Sequence, residues 1–396
     1  MTSSTLPTWL ATALSSEKQM VNGIRVLASR ESQRDAASTL SRRAVFEQAH
    51  PSLKGALSFL DRKSKEHFSK NTKYYAVTAG SQRVHHNKNR YTNVTPYDRT
   101  RVVVHDGRVG YSDQLEDRYL NASWVLEKAG HKWWIASQAP LPHSAHAFLS
   151  MMLQPAVEPP YSSTPSQMKI RTVVQLTRNV ESGRRKADAY FPSEVGQSFV
   201  VPPEDQLDVP ALEVTLHATR RIPEADCFES LVSIVPTSGH ETNAQPVFFK
   251  HLLYSSWPDH GVPEMEDRES LLAFIRLVDA TNRNPDIPSL HNSQLNADPD
   301  PPIVVGCSAG IGRTGSFIAL SSLLRHHDFL QPPAFPTSSS VLPASPLGAV
   351  PSEVKDDEVV QEIDSLREQR PGMVQREEQT LLVYEVLAAA FGFQMG

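Results

Sequence analysis

Apolar positions in the first part of the chain recur at helical spacing. They fall every three or four residues over 6–14, again over 21–27, and in a later stripe over 46–60. This spacing predicts amphipathic helices whose apolar faces pack on a core. Residues 1 to about 68 are therefore expected to be helical.

The pattern then changes to alternation, which is typical of strands that end in turns. Alternating or continuous apolar runs predict strands over 117–125, 133–142, 170–176, 212–216, 231–235 and 247–253. Helical spacing returns over 269–279, 359–368 and 380–391.

One stretch combines a strand, a tight turn and a helix. The β-branched run 303–305 is followed by Gly306 and Cys307. Small residues come next, and helical spacing begins near Phe317. A helix N-terminus offers free N–H groups and a positive dipole end, and small residues let neighbouring N–H groups turn inward around an anion. Arg313 can add a bidentate fork for phosphate oxygens, and the same field favours the Cys307 thiolate. The stretch predicts a phosphate pocket with a nucleophile at its base.

A dinucleotide site is the main alternative for this stretch, because residues 310–315 also fit G-x-G-x-x-G. The acidic residue expected about twenty positions later is missing, and a Pro/Ser-rich segment begins near Gln331 instead. A Walker loop is excluded because no lysine follows Gly315. A buried structural cysteine would leave Arg313 without a purpose.

Composition limits the remaining classes. The chain has 396 residues, 39% hydrophobic content, a net charge of −5 and two cysteines. We expect a cytoplasmic protein with no nucleic-acid partner, no membrane partner and no disulfide framework. The longest apolar stretch, 381–393, contains Glu385 and is too short to span a bilayer. No metal site is predicted, and the pairs His85-His86 and His326-His327 are expected to be solvated.

The stretch from Val305 to Gly315 resembles the signature loop of the protein tyrosine phosphatases, in their tyrosine-specific, cysteine-dependent class. The resemblance implies an α/β fold with a central twisted mixed sheet flanked by helices. It implies a non-receptor protein with one catalytic domain over 44–396, on which an N-terminal helical segment, 1–43, packs. Pro-rich insertions are expected at 285–302 and 331–352, the first as a flexible surface loop and the second as a disordered one.

By this resemblance, Cys307 is the nucleophile and Thr314 stabilises the thiolate when it leaves. The phosphate oxygens would be bound by Ser308, Ala309, Gly310, Ile311, Gly312 and Arg313. Residues 254–263 resemble the family's mobile acid loop. They make Asp259 the general acid and Trp257 a rigid hinge and wall.

Other segments resemble the family's supporting loops. Tyr91 would form an aromatic wall for phosphotyrosine, and Asn93 would accept a peptide N–H. Glu181 would hold the Arg313 fork in plane, and Lys186 would reach the acid loop. Gln375 would orient the hydrolytic water, and a secondary role falls to Gln379.

The expected activity is hydrolysis of phosphotyrosine in signalling proteins through a cysteinyl-phosphate, by a monomer that needs no cofactor. One departure matters, because Gly306 stands where the family normally has histidine. Since that histidine helps to depress the thiol pKa, a slower and more alkaline-shifted enzyme is expected. A phosphotyrosine-binding pseudophosphatase is the alternative that Gly306 supports. A dual-specificity phosphatase is disfavoured by the deep pocket that Tyr91 implies.

Overall fold

A computed structural model describes residues 6–49, 70–105, 108–110, 118–153, 159–161, 169–204, 207, 209–237, 245–258, 261–284, 287–288 and 298–393. The helices within these ranges are α1 (Thr8–Ser15), α2 (Glu17–Ala49), α3 (Thr78–Ser81), α4 (Ala145–Leu153), α5 (Arg268–Arg283), α6 (Gly312–His326), α7 (Glu358–Gln369) and α8 (Glu377–Ala390). The strands are β1 (Arg101–His105), β2 (Arg108–Gly110), β3 (Arg118–Leu126), β4 (Trp133–Gln138), β5 (Thr172–Gln175), β6 (Val180–Glu181), β7 (Arg184–Arg185), β8 (Ser198–Val201), β9 (Ala211–Ile222), β10 (Cys227–Thr237), β11 (Val247–Tyr254) and β12 (Ile303–Cys307).

Ten strands form one mixed sheet in the order β2-β1-β3-β4-β12-β5-β11-β10-β9-β8. The four central strands β4, β12, β5 and β11 are parallel, and the outer strands pair antiparallel. The expected α/β fold with a mixed sheet flanked by helices is confirmed. Strands β6 and β7 form a separate small hairpin.

The central strand β12 is apolar on both faces because helices cover both sides of the sheet. Ile303 and Val305 pack into one core, together with the inner faces of α5 to α8. Val304 packs into the opposite core, with α4. Strand β12 ends at Cys307, at the carboxyl ends of the parallel strands, where α/β sheets commonly bind ligands.

The N-terminal helix α2 is fixed to α7 by buried ion pairs. Arg34 is fully buried and donates to Glu368 at 3.0 Å, and Arg30 donates to Asp364 at 2.8 Å. The helix runs to Ala49, and of the stripe predicted over 46–60 only 46–49 lie within the described residues.

The second Pro-rich insertion does not match the expectation of a disordered loop. Residues 331–352 lack long helices or strands, but the Arg30 guanidinium binds the carbonyls of 347–349 at 2.8–3.3 Å. Tyr74 donates to the Pro343 carbonyl at 3.0 Å. The buried Arg30 side chain therefore holds the backbone of this segment in place. Most of the first insertion, 285–302, lies outside the described residues.

Within the described part of the chain, no helix is long and apolar enough to cross a membrane.

The strand β11 contains a buried histidine that gives the fold a pH dependence. His251 contacts the rings of Tyr190 and Phe191 and lies 3.2 Å from Gln175 Oε1. Burial lowers the pKa of His251 to about 3, whereas an unfolded histidine titrates near about 6.5. The native state thus binds fewer protons at His251 than the unfolded state does. The contribution of His251 to the free energy of unfolding is therefore complete above about pH 6.5 and decreases as the pH falls.

We predict that His251→Gln, which keeps a donor for Gln175, makes the unfolding free energy less dependent on pH. Between about pH 5 and 6, the wild type should lose up to about 1.4 kcal/mol per pH unit more than the variant. Urea unfolding over this range measures the difference, and exposed His86→Ala should keep the wild-type slope. Equal slopes for His251→Gln and wild type would contradict the prediction.

Candidate active site

The turn after β12 places Cys307 at the base of a loop that closes against its own scaffold. Gly306 pairs with Ser137 of β4, and a Cβ at Gly306 would lie 2.7 Å from the Ser137 carbonyl oxygen. Gly310 approaches the same carbonyl and has a φ of +70°, a conformation that glycine adopts without strain. The two glycines allow the loop to fold back over the end of β4.

The carbonyl groups of this loop point away from the loop centre. The N–H of Ala139 donates to the carbonyls of Cys307 and Ser308 at 2.9 and 3.1 Å, and that of Leu176 donates to Gly306 at 2.8 Å. The Arg370 guanidinium donates to the carbonyls of 309 and 310 at 3.1 and 2.7 Å.

The backbone N–H groups of residues 308–313 donate to no backbone carbonyl within the described ranges. The arrangement leaves these N–H groups available for an anion, which is the geometry of a phosphate-binding nest at a helix start.

Arg370 is a part of this loop's support that sequence reasoning missed. Its side chain is fully buried, contacts Asn121 and Ser123 as well as the loop, and has a pKa lowered by burial to about 10. It therefore remains charged at neutral pH. Arg370 is the first residue of the predicted glutamine segment, residues 370–379, but nothing in the sequence shows which carbonyls it reaches.

Arg313 is held by a bidentate ion pair with Glu181. Two parallel bonds of 2.7 and 2.8 Å join the guanidinium to the carboxylate, which β6 positions. The same guanidinium donates to the carbonyls of Leu176 at 2.9 Å and Pro258 at 2.7 Å. The expected pairing of Glu181 with Arg313 is present, and it fixes the plane of the fork.

The environment of Cys307 lowers the pKa of its thiol. Burial opposes ionisation, but the Thr314 hydroxyl, the Arg313 charge and the N–H groups of Thr314 and Ile311 together outweigh it. Within the described residues, the buried Thr314 hydroxyl has no hydrogen-bond partner, so nothing competes with the thiolate for its proton. Cys307 is buried, with only 6% of the residue exposed.

The predicted rim residues lie around the mouth of the loop. The Tyr91 hydroxyl lies 2.8 Å from the Ser308 hydroxyl, and the Tyr91 ring is partly exposed. Ser308 in turn donates to the backbone carbonyl of Lys186 at 2.7 Å. Asn93 is exposed and lies beside the Gln375 segment.

The glutamine segment is attached directly to the loop after β12, which is called the nucleophile loop for its predicted nucleophile, Cys307. The N–H of Val374 donates to the Ile311 carbonyl at 3.2 Å, and Val374 has a φ of +53°, a strained conformation for a β-branched residue. Arg367 binds the Val374 carbonyl at 2.6 Å. Gln375 is exposed beside Ile311, at a cleft of about 450 Å³, whereas Gln379 is buried against Gly312.

The acid segment is described only in part. Trp257 is buried and packs edge-on against Tyr254 at 6.5 Å. Asp259, the predicted general acid, lies outside the described residues. Its neighbour Pro258 contacts Arg313, which brings this segment to the rim of the loop.

The comparisons with known proteins agree with this geometry. A family model described as protein-tyrosine phosphatase matches residues 85–331, which is more than half of the chain. The chain belongs to the protein-tyrosine phosphatase family. Both the nucleophile loop, up to Arg313, and the supporting Glu181 fall within the match to this family.

The relatives of this phosphatase domain include receptor-type proteins. The chain is 31% identical to receptor-type tyrosine-protein phosphatase eta from Homo sapiens and from Mus musculus, over 239 residues in each case. The Gallus gallus protein is also 31% identical, over 238 residues. The match covers 60% of this chain but only 14–15% of those relatives.

Solved structures show the same fold. The catalytic domain of human protein tyrosine phosphatase non-receptor type 18 gives a TM-score of 0.52 at 23% identity, over 80% of this chain and 88% of that one. A second structure, titled for the fingerprint of PTPN18 on distinct HER2 tyrosine phosphorylation sites, gives the same values.

We predict that Gly306→Ala destabilises this phosphatase domain by about 1–3 kcal/mol, because the added Cβ meets a backbone carbonyl that β4 holds in place. Urea unfolding measures the change. A histidine here would meet the same carbonyl, so Gly306→His should cost at least as much. A Gly306→Ala protein as stable as the wild type would show that the contact is absent.

We also predict that Thr314→Val raises the pKa of the Cys307 thiol, because it removes the hydroxyl that favours the thiolate. Thr314→Ser keeps the hydroxyl and should keep the wild-type pKa. The pH dependence of alkylation by iodoacetamide measures both variants. If Thr314→Val alkylates with the wild-type profile, the hydroxyl does not act on the thiol.

Proposed function

We propose that this chain is a protein-tyrosine phosphatase that hydrolyses phosphotyrosine in proteins through a cysteinyl-phosphate. The observation that carries the proposal is the Cys307 thiol, with its lowered pKa, at the centre of a loop whose carbonyls all face outward. Membership of the family supports the same reaction class. Because the thiol must stay reduced, a reducing compartment such as the cytoplasm is part of the proposal.

In the first step, the Cys307 thiolate attacks phosphorus, and a sulfur–phosphorus bond forms while the bond to the phenolic oxygen breaks. The N–H groups of 308–313 and the Arg313 guanidinium bind the equatorial oxygens as their charge shifts. Asp259 gives its proton to the departing tyrosine oxygen. The Glu181 carboxylate keeps the Arg313 fork in the plane that two oxygens require.

In the second step, water attacks the cysteinyl-phosphate. Gln375 orients the water and Asp259 accepts its proton, so an oxygen–phosphorus bond forms while the sulfur–phosphorus bond breaks. The Thr314 hydroxyl stabilises the departing thiolate. Gln379, packed against Gly312, supports this side of the loop.

Selectivity for phosphotyrosine follows from the depth of the pocket. The Tyr91 hydroxyl contacts Ser308, so its ring forms a wall that rises from the loop itself. A phenyl phosphate can stack on this ring and still bring its phosphorus to the sulfur, whereas phosphoserine is too short. Asn93 and Lys186 complete the rim, and Trp257 backs the acid segment.

The competing function is a phosphotyrosine-binding pseudophosphatase, which the glycine at 306 supports. A Cβ at position 306 would lie 2.7 Å from the Ser137 carbonyl oxygen, so the side chain that the family normally has there would require the backbone to shift. Against it, the pKa of the Cys307 thiol is lowered without that side chain.

Release of phosphate from matched phosphotyrosine and phosphoserine peptides tests the proposal. Wild type should release phosphate from the phosphotyrosine peptide at least about 100-fold faster, and Cys307→Ser should bind that peptide without turnover. Cys227→Ser is the matched control, because the pKa of this other buried thiol is raised to about 12 and it should be dispensable. Binding without turnover by the wild type would favour the pseudophosphatase, and equal rates on both peptides would favour dual specificity.

A further inference from the structure

The far end of helix α6 carries two adjacent histidines that meet a carboxylate from another helix. His326 is the last residue of α6 and His327 is its C-cap, while Glu358 is the first residue of α7. His327 Nε2 lies 2.8 Å from one Glu358 oxygen, and His326 Nε2 lies 3.8 Å from the other. The three ligand atoms all lie within 4.8 Å of one another. No step of the proposed phosphatase reaction uses these residues.

We propose that His326, His327 and Glu358 form a binding site for a divalent cation of the zinc type. Two imidazole nitrogens and one carboxylate oxygen, with a water in the fourth position, are a common zinc ligand set. With zinc–ligand bonds of about 2.0–2.1 Å, the ligand atoms of a tetrahedral site lie about 3.3 Å apart. The observed spacings of 2.8 and 3.8 Å lie on either side of this value but involve different Glu358 oxygens, so the site requires side-chain rotations that bring one carboxylate oxygen towards both nitrogens.

The surroundings of the cluster fix one ligand and leave another accessible. The His327 ring stacks on Trp9 of α1 at 6.4 Å and meets the edge of Phe391 at 5.3 Å, so its orientation is set by packing. The His326 side chain is 46% exposed, which leaves an entry path for the ion. The C-terminal end of a helix also carries partial negative charge, which favours a cation beside His326 and His327.

The other adjacent histidine pair of the sequence has a different environment. His85 is buried, and its Nδ1 lies 2.8 Å from the Ala79 carbonyl. His86 Nε2 lies 3.0 Å from the Ser81 carbonyl. One ring nitrogen of each histidine is thus occupied by a backbone oxygen, so pairing in sequence alone does not make a metal site. The third ligand from α7 makes the difference.

A bound ion would join the end of α6 to the start of α7. Helix α6 begins at the nucleophile loop, and α7 leads directly to Arg370, which holds that loop's carbonyls. Cation binding should therefore stabilise the helices behind the loop, through linkage between binding and folding. Metal binding here does not depend on the phosphatase reaction.

Zinc titration of the 396-residue Cys307→Ser protein, against a chromophoric chelator at neutral pH, tests the site. The serine substitution removes the reactive thiolate as a competing ligand. We expect one equivalent of Zn²⁺ to bind and the melting temperature to rise. His326→Ala and Glu358→Gln should each weaken binding by about tenfold or more and abolish the rise in melting temperature.

His327→Phe tests the remaining ligand, because it keeps an aromatic ring against Trp9 and Phe391. It should lose zinc binding while its metal-free melting temperature stays near that of the parent protein. His86→Ala, an exposed histidine of the other pair, should bind zinc like the parent. Failure of the parent to bind zinc, or unchanged binding in His326→Ala and Glu358→Gln, would overturn the proposal.

Discussion

The bidentate pair between Arg313 and Glu181 is the interaction on which the arrangement of the site depends. It connects the first turn of α6 to the β6–β7 hairpin, and the same guanidinium reaches the carbonyl of Pro258 beside the acid segment. The pair is nearly buried, with 11% and 6% of the side chains exposed. Removing either partner would leave the other charge buried and unpaired, which is strongly destabilising. The Arg313 guanidinium thus aligns the nucleophile loop, the β6–β7 hairpin and the acid segment.

A second constraint acts on the backbone of the nucleophile loop. Its N–H groups can face an anion only because its carbonyls are bound on the outside by Ala139, Leu176 and Arg370. The positive φ of Gly310 and the strained φ of Val374 persist because these surroundings hold them. The loop is therefore organised before substrate binds, and electrostatic stabilisation needs no rearrangement during the reaction.

Much of the fold could be predicted from the sequence, because the signals were local. Apolar runs such as 303–305 mark central strands, and the resemblance of residues 305–315 to a known loop indicates the architecture around them. The predicted strand over 212–216 is shorter than β9, because the second half of β9 pairs with β10 through its backbone while its side chains remain exposed. A hydrophobic pattern does not reveal backbone pairing between strands whose side chains are exposed.

The contacts that sequence reasoning missed join distant segments through backbone atoms. The hydrogen bonds from Arg370 to the loop carbonyls produce no recognisable pattern in the sequence. The same is true of the hydrogen bonds from Arg30 to residues 347–349. The close approach of Gly306 to the Ser137 carbonyl is also a backbone contact, and the sequence shows only that a glycine stands at this position. The meeting of Glu358 with a histidine pair 31 residues earlier also depends on the packing of α6 on α7.

Detection of the covalent intermediate tests the central claim most directly. Enzyme mixed with a phosphotyrosine peptide, quenched in acid within milliseconds and digested, would be examined by mass spectrometry for a phosphoryl group on the peptide that contains Cys307. We expect this adduct in the wild type, and more of it in Gln375→Ala, where water is no longer oriented. Phosphate release at equal rates by wild type and Cys307→Ser, with no adduct on Cys307, would contradict it.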